Sequence, residues 1–465
     1  MSNANFLSRH SWIIVAAVLL VLPFVTNAAT FDLSLVEKFT GTNADANAGA
    51  AIAVGDLNND GYQDMVLGDA GATTNGTVYV QYGQSALFST ASLSTADVAV
   101  TGEAAGDLVG GAVAVCDVNG DGYDDFLAGS PSEDSGGTNA GVAYLVYGQA
   151  ADLTLTDFSS ADAKFIGERA EDAAGLKLGC GDINGDGYAD VFIGASGEDT
   201  VADLAGAIYL LYGGEGNGLL LGDTDLSTAD AMFTGESGYD AIPDSLATGD
   251  VNGDGYDDLV VGAKSGSTNG SAYLIYGQSA LYSQSLNLSS VPEFTGETAG
   301  DDVGVSLATG DFNNDGYDDI LIGADRDNTG GSSAGAVYLL NGGEANMTSK
   351  ALANADAKYI GETTGDRAGY SVGSGDFNAD GVEDILIGAW HESTGGTEAG
   401  ASYVVYGAAA SSSAVNYSPA AVTATDLSGA DVKLTGETDY DRAGATVVGG
   451  DVNGDDYYDI LVGAT

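Results

Sequence analysis

One nonapeptide, Asp-x-Asn-x-Asp-Gly-x-x-Asp, recurs seven times along the 465 residues, starting at Asp56, Asp117, Asp182, Asp250, Asp311, Asp376 and Asp451. A regular copy reads Asp250-Val-Asn-Gly-Asp-Gly-Tyr-Asp-Asp258 and runs into the apolar stretch Leu259-Val-Val-Gly-Ala263. Side-chain oxygens at the first, third, fifth and ninth positions, with Gly at the sixth for a sharp turn, are what a hard cation such as Ca²⁺ requires of a short loop. The spacing of the copies, 61 to 75 residues, also constrains the architecture. That period is too long for short helical solenoids and suits one four-stranded propeller blade.

Six loops keep the full pattern. Their side-chain ligands are expected to be Asp56, Asn58, Asp60 and Asp64; Asp117, Asn119, Asp121 and Asp125; Asp182, Asn184, Asp186 and Asp190; Asp250, Asn252, Asp254 and Asp258; Asp311, Asn313, Asp315 and Asp319; and Asp376, Asn378, Asp380 and Asp384. The seventh position should contribute its backbone carbonyl, so its side chain is free to vary: Tyr62, Tyr123, Tyr188, Tyr256, Tyr317 and Val382. The last loop, Asp451, Asn453, Asp455, Tyr457 and Asp459, carries Asp456 where Gly is expected. A non-Gly residue must then adopt the turn's backbone, so a weaker site is expected there. An EF-hand is excluded, because its closing Glu would fall at Leu67, Ala128, Ile193, Val261, Ile322, Ile387 or Val462. Up to seven Ca²⁺ ions are therefore expected, each stabilising its blade.

The stretches between loops read as strands of about five residues bounded by Gly, Asn, Asp and Ser, without helical periodicity. A whole unit runs from Phe294-Thr-Gly-Glu297 through Val303–Ala308, the loop from Asp311, Ile320–Ala324 and Gly335–Leu340. The recurrent Tyr79, Tyr144, Tyr209, Tyr273, Tyr338 and Tyr403 are expected to pack between blades. The fold is expected to be all-β and closed into a ring, with an open β-solenoid as the alternative.

The acidic nonapeptide, the Ile/Leu-Ile-Gly-Ala strand and the Gly-x-x-Tyr strand together resemble FG-GAP repeats. The resemblance spans Phe31 to Thr465 and implies the seven-bladed β-propeller of integrin α-subunit heads, with four-stranded antiparallel blades. The Phe-Gly element is mostly replaced, as at Ala174-Gly175, Val303-Gly304 and Ala368-Gly369, so bacterial or archaeal relatives are expected to be nearer than true integrin subunits. Phe31-Asp-Leu-Ser-Leu35 resembles the outermost strand that completes the last blade in this family. Since no seventh Gly-x-x-Tyr strand follows Ala464, either that blade closes short or the chain continues past Thr465; continuation is the expectation.

Residues 1–28 have the layout of a secretory signal peptide: a basic start at Arg9, an apolar core from Trp12 to Val25 and small residues at Thr26-Asn27-Ala28. Residues 29–465 are then the exported propeller, secreted or at the cell surface. No other stretch is long and apolar enough to cross a bilayer. The net charge is −56, with 68 acidic and 12 basic residues, and three Asp in each loop account for under a third of those acids. Such a field repels nucleic acid, and nucleic-acid binding is excluded. The two cysteines, Cys116 and Cys180, precede successive loops, and both a bridge and a pair of buried thiols are open.

With the leader removed, His391 is the one histidine, so a His-coordinated metal is ruled out and any Ser-His-Asp triad would pass through it. The family resemblance implies that metal loops stabilise one face while the loops before the inner strand and after the apolar strand meet a partner. On this chain that side includes Gly106-Asp107, Glu171-Asp172, Tyr239-Asp240, Asp366-Arg367 and Tyr440-Asp441-Arg442, with the Glu133-Asp134 and Trp390-His391 loops. The expected function is a calcium-binding adhesion module for an extracellular protein or glycan. The alternatives are a propeller hydrolase or lyase acting on polysaccharide, and a structural module of a larger surface protein.

Overall fold

Strands of two to eight residues separated by Gly- and Asp-rich turns cannot bury both faces alone, and they do so here by stacking sheet on sheet. The computed structural model describes residues 12–16, 29–42, 47–71, 73–86, 88–199, 202, 204–264, 268–283, 285–408 and 424–464. The expected cleavage site at Thr26-Asn27-Ala28 and the terminal Thr465 lie outside the described residues.

The molecule is a β-propeller of four-stranded antiparallel blades. Six blades are each built from four strands in chain order, for example Ser245–Gly249, Asp258–Ala263, Ser271–Ile275 and Glu293–Thr295. The expectation of seven such blades is corrected to six. The seventh repeat supplies only Thr446–Gly450 and Asp459–Ala464, and their sheet is composite. Backbone from the other end of the chain joins it: Trp12–Ala16 pairs antiparallel with Asp459–Ala464 and with Lys38–Thr40. Phe31–Leu35 is also corrected. Ala29–Asp32 lies parallel to Val432–Thr435 at the edge of the sixth blade, and the outer antiparallel strand of the composite sheet is Lys38–Thr40.

The period-2 pattern is lost in the second and third strands of each blade, which are buried along all or nearly all of their length because another sheet covers each face. Each apolar cluster accordingly lies between two sheets. Val66, Val78 and Val80 of the first blade pack on Phe126, Val142 and Tyr144 of the second. Val452 and Leu461 pack on Ile52, Met65 and Leu67, which closes the ring. Tyr144, Tyr209, Tyr273, Tyr338 and Tyr403 are fully buried in these layers, as expected.

A repeated edge device was missed. A short parallel fifth strand leads into one 3-10 turn whose apolar residue is buried at Leu33, Leu93, Leu226, Leu288, Leu352 and Leu427, and a single parallel bridge at Asp157 leads into the same turn at Phe158. In most copies the residue before it caps the turn; Asp225 Oδ1 accepts the Ser227 N–H at 2.9 Å. Cys116 and Cys180, on the innermost strands of adjacent blades, form a disulfide.

Candidate functional site

Each metal-type loop joins an innermost strand to the second strand, so all seven lie at one end of the ring. The first Asp closes the turn. Asp250 Oδ1 accepts the Asp254 N–H at 3.0 Å and Oδ2 accepts the Gly255 N–H at 2.8 Å, while Asp254 Oδ1 accepts from Tyr256 at 3.2 Å. Asp56, Asp117, Asp182, Asp311, Asp376 and Asp451 repeat the arrangement. Asp456 N–H donates to Asp451 Oδ2 as Gly does elsewhere, but with φ of 68°, a region that costs a non-Gly residue energy.

The ninth-position Asp begins the second strand and is buried. Asp258 accepts N–H groups from Gly277 at 2.7 Å and Val251 at 3.1 Å. Burial pushes these carboxyls up to about 7 in Asp64, Asp258 and Asp459 and to about 8 in Asp125, Asp190, Asp319 and Asp384; the first and fifth Asp of the same loop raise them further. Repulsion of this kind is what a bound cation relieves. The all-oxygen donor set fits Ca²⁺, and the buried Oδ1 atoms of Asn313 and Asn378 have no hydrogen-bond partner. Among the described residues, no three His, Cys, Asp or Glu side chains gather closely enough to hold an ion. The first and fifth carboxylates are instead taken up by the turn's own N–H groups.

Two further roles at this end escaped the sequence reading. The eighth-position side chain reaches back to the preceding loop: Asp56, Asp182 and Asp250 donate their N–H to Asp124, Asp257 and Asp318 at 2.8 to 2.9 Å, and Asp451 donates to Gln63 at 2.8 Å. The seventh-position ring also covers the fourth-position glycine of that loop. A Cβ on Gly120, Gly185, Gly253 or Gly454 would lie 2.5 to 2.6 Å from Tyr188, Tyr256, Tyr317 or Tyr62. The acid at position eight and the Gly-Tyr pairing were both visible in register, but as loop decoration rather than as contacts between neighbours.

At the opposite end, the loops before the innermost strands and after the second strands converge on a mouth. The acidic residues named for partner contact there are mostly turn caps. Asp366 is buried and accepts the Thr363 N–H at 2.6 Å and hydroxyl at 2.8 Å. Asp107, Asp172, Asp240 and Asp441 cap the corresponding turns. Tyr239 and Tyr440 stand out from this end, 66% and 50% exposed.

Trp390 is the centre of an aromatic–basic cluster that holds two arginines. Its ring lies 4.8 Å from Tyr370 and 3.9 Å from His391, with the guanidinium groups of Arg442 and Arg367 at 4.9 and 5.7 Å. Arg367 pairs with Asp325 at 2.9 Å and Arg442 with Glu398 at 3.3 Å. Burial lowers the His391 pKa, against the pull of Glu398. Trp390 Nε1, His391 Nε2 and Arg442 Nε are buried without hydrogen-bond partners.

The few cations divide into two sets. Lys38, Lys164, Lys358 and Lys433 seal blade to blade: Lys358 contacts Glu297 at 3.0 Å and Asp327 at 2.9 Å, and Lys433 contacts Glu362 at 2.8 Å and Glu392 at 3.2 Å. Apart from Lys350 at an outer edge, the other described cations are Arg169, Lys177, Lys264, Arg326, Arg367 and Arg442, and all sit at the mouth. The ring thus carries its Asp loops at one end and most of its arginines at the other.

Comparison with known proteins agrees with this geometry. The FG-GAP repeat family matches residues 48–80, 109–146, 174–211, 243–276, 303–340 and 368–405, which fall on the six blades built from consecutive strands. Integrin alpha pat-2 of Caenorhabditis briggsae is 30% identical over 237 residues, covering 48% of this chain and 18% of that protein. Phosphatidylinositol-glycan-specific phospholipase D of Rattus norvegicus is 32% identical over 209 residues, covering 43% of this chain and 24% of that protein. The match therefore spans less than a quarter of either relative. A solved rhamnogalacturonan lyase aligns with 78% of this chain and 56% of its own at a TM-score of 0.35 and 10% identity. No helix among the described residues is long and apolar enough to cross a membrane.

Proposed function

We propose that this chain of FG-GAP repeats, an integrin-alpha-like β-propeller, is an exported binding module whose metal loops hold Ca²⁺ for stability and whose mouth meets an extracellular protein partner. The observation that carries the reading is the division between the two ends. Seven Asp loops face one way, while Trp390, Tyr370, Arg367, Arg442 and the exposed Tyr239 and Tyr440 face the other. Tyr, Trp and Arg are the residues that anchor protein contacts, because they add area and donors at low entropic cost. Export is supported by the Cys116–Cys180 bridge, which persists in an oxidising compartment.

Calcium is supported by the donor set, by the unpartnered Asn313 and Asn378 oxygens and by the raised carboxyls at the ninth positions. The ion would be held by the first, third, fifth and ninth side chains and would remove the repulsion that builds up there at neutral pH. The test is calorimetric. Chelation at pH 7.5 should lower Tm by many degrees, and added Ca²⁺ should restore it. A Tm indifferent to chelator refutes the metal reading. For the partner face, Tyr239→Ala together with Tyr440→Ala should abolish capture of an extracellular protein bound by the wild type, without moving Tm. Retained capture refutes the assignment of that end.

A further inference from the structure

Lys177 lies on Ala174–Gly181, an innermost strand, just inside the mouth and opposite Gly194 of the second strand. Other repeats place small residues at this point. Ser245, Ser306, Ser371 and Thr446 each donate a hydroxyl to a carbonyl of the next blade, at 2.8 to 3.0 Å; Ala51 and Ala112 hold the remaining positions. In the third blade the next neighbour presents Pro243, whose ring lies 2.5 Å from where a Cβ on Gly194 would stand, and the seal is replaced by an ammonium. The Lys177 Cβ lies 3.2 Å from where a Cβ on Gly194 would stand, on the side of the strand that meets Pro243 of the next blade.

Lys177 is the only one of the six mouth cations without an ion pair among the described residues. Arg169 pairs with Asp199 at 3.2 Å, Lys264 with Asp244 at 2.8 Å and Arg326 with Asp302 at 3.1 Å, and Arg367 and Arg442 are paired as described. Surrounding protein lowers its pKa; the Asp244 carboxylate opposes this and the Lys264 ammonium adds to it. An amine in such surroundings gains more from a counter-charge than it would in water, and a bound anion would favour its ammonium form.

We propose that the mouth binds one isolated carboxylate, an Asp or Glu side chain of a polypeptide, with Lys177 as its counter-ion. The inference rests on the binding-module reading and deepens it. A single unpaired cation offsets a single charge. A polyanion would set its remaining charges against a surface of net charge −56, whereas a lone carboxylate on an otherwise uncharged or basic segment would not.

The test uses the full chain with its lysines ¹³C-dimethylated, which keeps their charge. Acetyl-Gly-Glu-Gly-amide, its Gln counterpart and polygalacturonate are titrated in turn, while the Lys177 methyl signal and the Trp390 indole signal are followed. Lys177→Met and Trp390→Phe assign the two signals. The Glu peptide is expected to shift the Lys177 signal saturably and to raise its pKa by about one unit, a tenfold preference for the charged form. The Gln peptide should leave it unmoved. Lys177→Met should weaken binding of the Glu peptide at least tenfold with Tm unchanged, and Lys177→Arg should restore it. Equal shifts with the Gln peptide, or tighter binding of polygalacturonate, overturn the carboxylate inference while leaving the mouth a binding face. Silence of both signals toward all three probes overturns it as well, and counts against the module reading.

Discussion

Lys358 offers the sharpest test of how the ring is held together. Its ammonium is 3% exposed and lies between Glu297 of one blade and Asp327 of the next loop, with Thr329 Oγ1 at 2.8 Å and the Tyr338 ring at 4.7 Å. Asp327 is equally buried and also accepts the Tyr338 hydroxyl at 2.9 Å and the Thr329 N–H at 2.8 Å. Burial pushes the Asp327 pKa up, but Lys358 and the Thr329 groups outweigh it and leave the carboxyl below its ordinary value. Lys358→Met removes the cation and leaves a buried carboxylate with no counter-charge. Breaking a buried pair on one side costs about 3–5 kcal/mol, several times an exposed pair's worth.

The pH dependence has a definite sign. A depressed carboxyl contributes stability above its unfolded pKa and loses it as pH falls through the folded one, so the wild-type contribution disappears in acid, below about pH 4. In the variant, only the Thr329 groups oppose burial, so the Asp327 pKa rises and the penalty is largest at neutral pH. The gap between the two proteins should therefore narrow as pH falls. Urea unfolding followed by tyrosine fluorescence, with calcium held constant, reads this directly. Lys358→Met plus Asp327→Asn should recover at least half of the loss. Lys350→Met, at a pair 33% exposed on both sides, should cost less than about 1 kcal/mol. If Lys358→Met costs no more than Lys350→Met, or if its penalty grows in acid, the reasoning is wrong.

Glu293 occupies the position of those sealing lysines but faces Glu236, whose pKa is raised by burial and then by Glu293 itself; Glu293→Lys should stabilise by about 1–2 kcal/mol, read as a higher urea midpoint at neutral pH. Asp456→Gly should relieve the positive φ in the last loop by about 1 kcal/mol, and tighter calcium binding at that site is expected by isothermal titration. Replacing Cys116 and Cys180 by Ser frees a span of 64 residues and should cost up to about 4 kcal/mol; an unchanged midpoint would show that the bridge constrains nothing. Removing residues 1–28 takes out Trp12–Ala16 from between Asp459–Ala464 and Lys38–Thr40, so a lower Tm and edge-to-edge association in ultracentrifugation are expected.

The repeated loop was legible because its chemistry is local: nine residues carry turn, register and donor set, and the strand after Asp258 or Asp319 follows from the same segment. What links one repeat to the next was not legible, because those contacts join residues some 60 to 75 positions apart that are unremarkable singly. Asp124 reads as one more acid until it is seen accepting the Asp56 N–H 68 residues away. Lys358 reads as a strand-edge lysine until Glu297, 61 residues earlier, is placed beside it. The composite sheet failed for a different reason. The apolar core of the expected signal peptide, read for export, has the composition of an inner strand, and period alone cannot distinguish the two. At the mouth, Trp390 was found as the neighbour of the rare His391, whereas Asp366 was named with its loop and caps its own turn. In a chain this acidic a carboxylate carries little information, and an unpaired cation such as Lys177 carries a great deal. The lysine was passed over because only the ring shows which cations have partners and which do not.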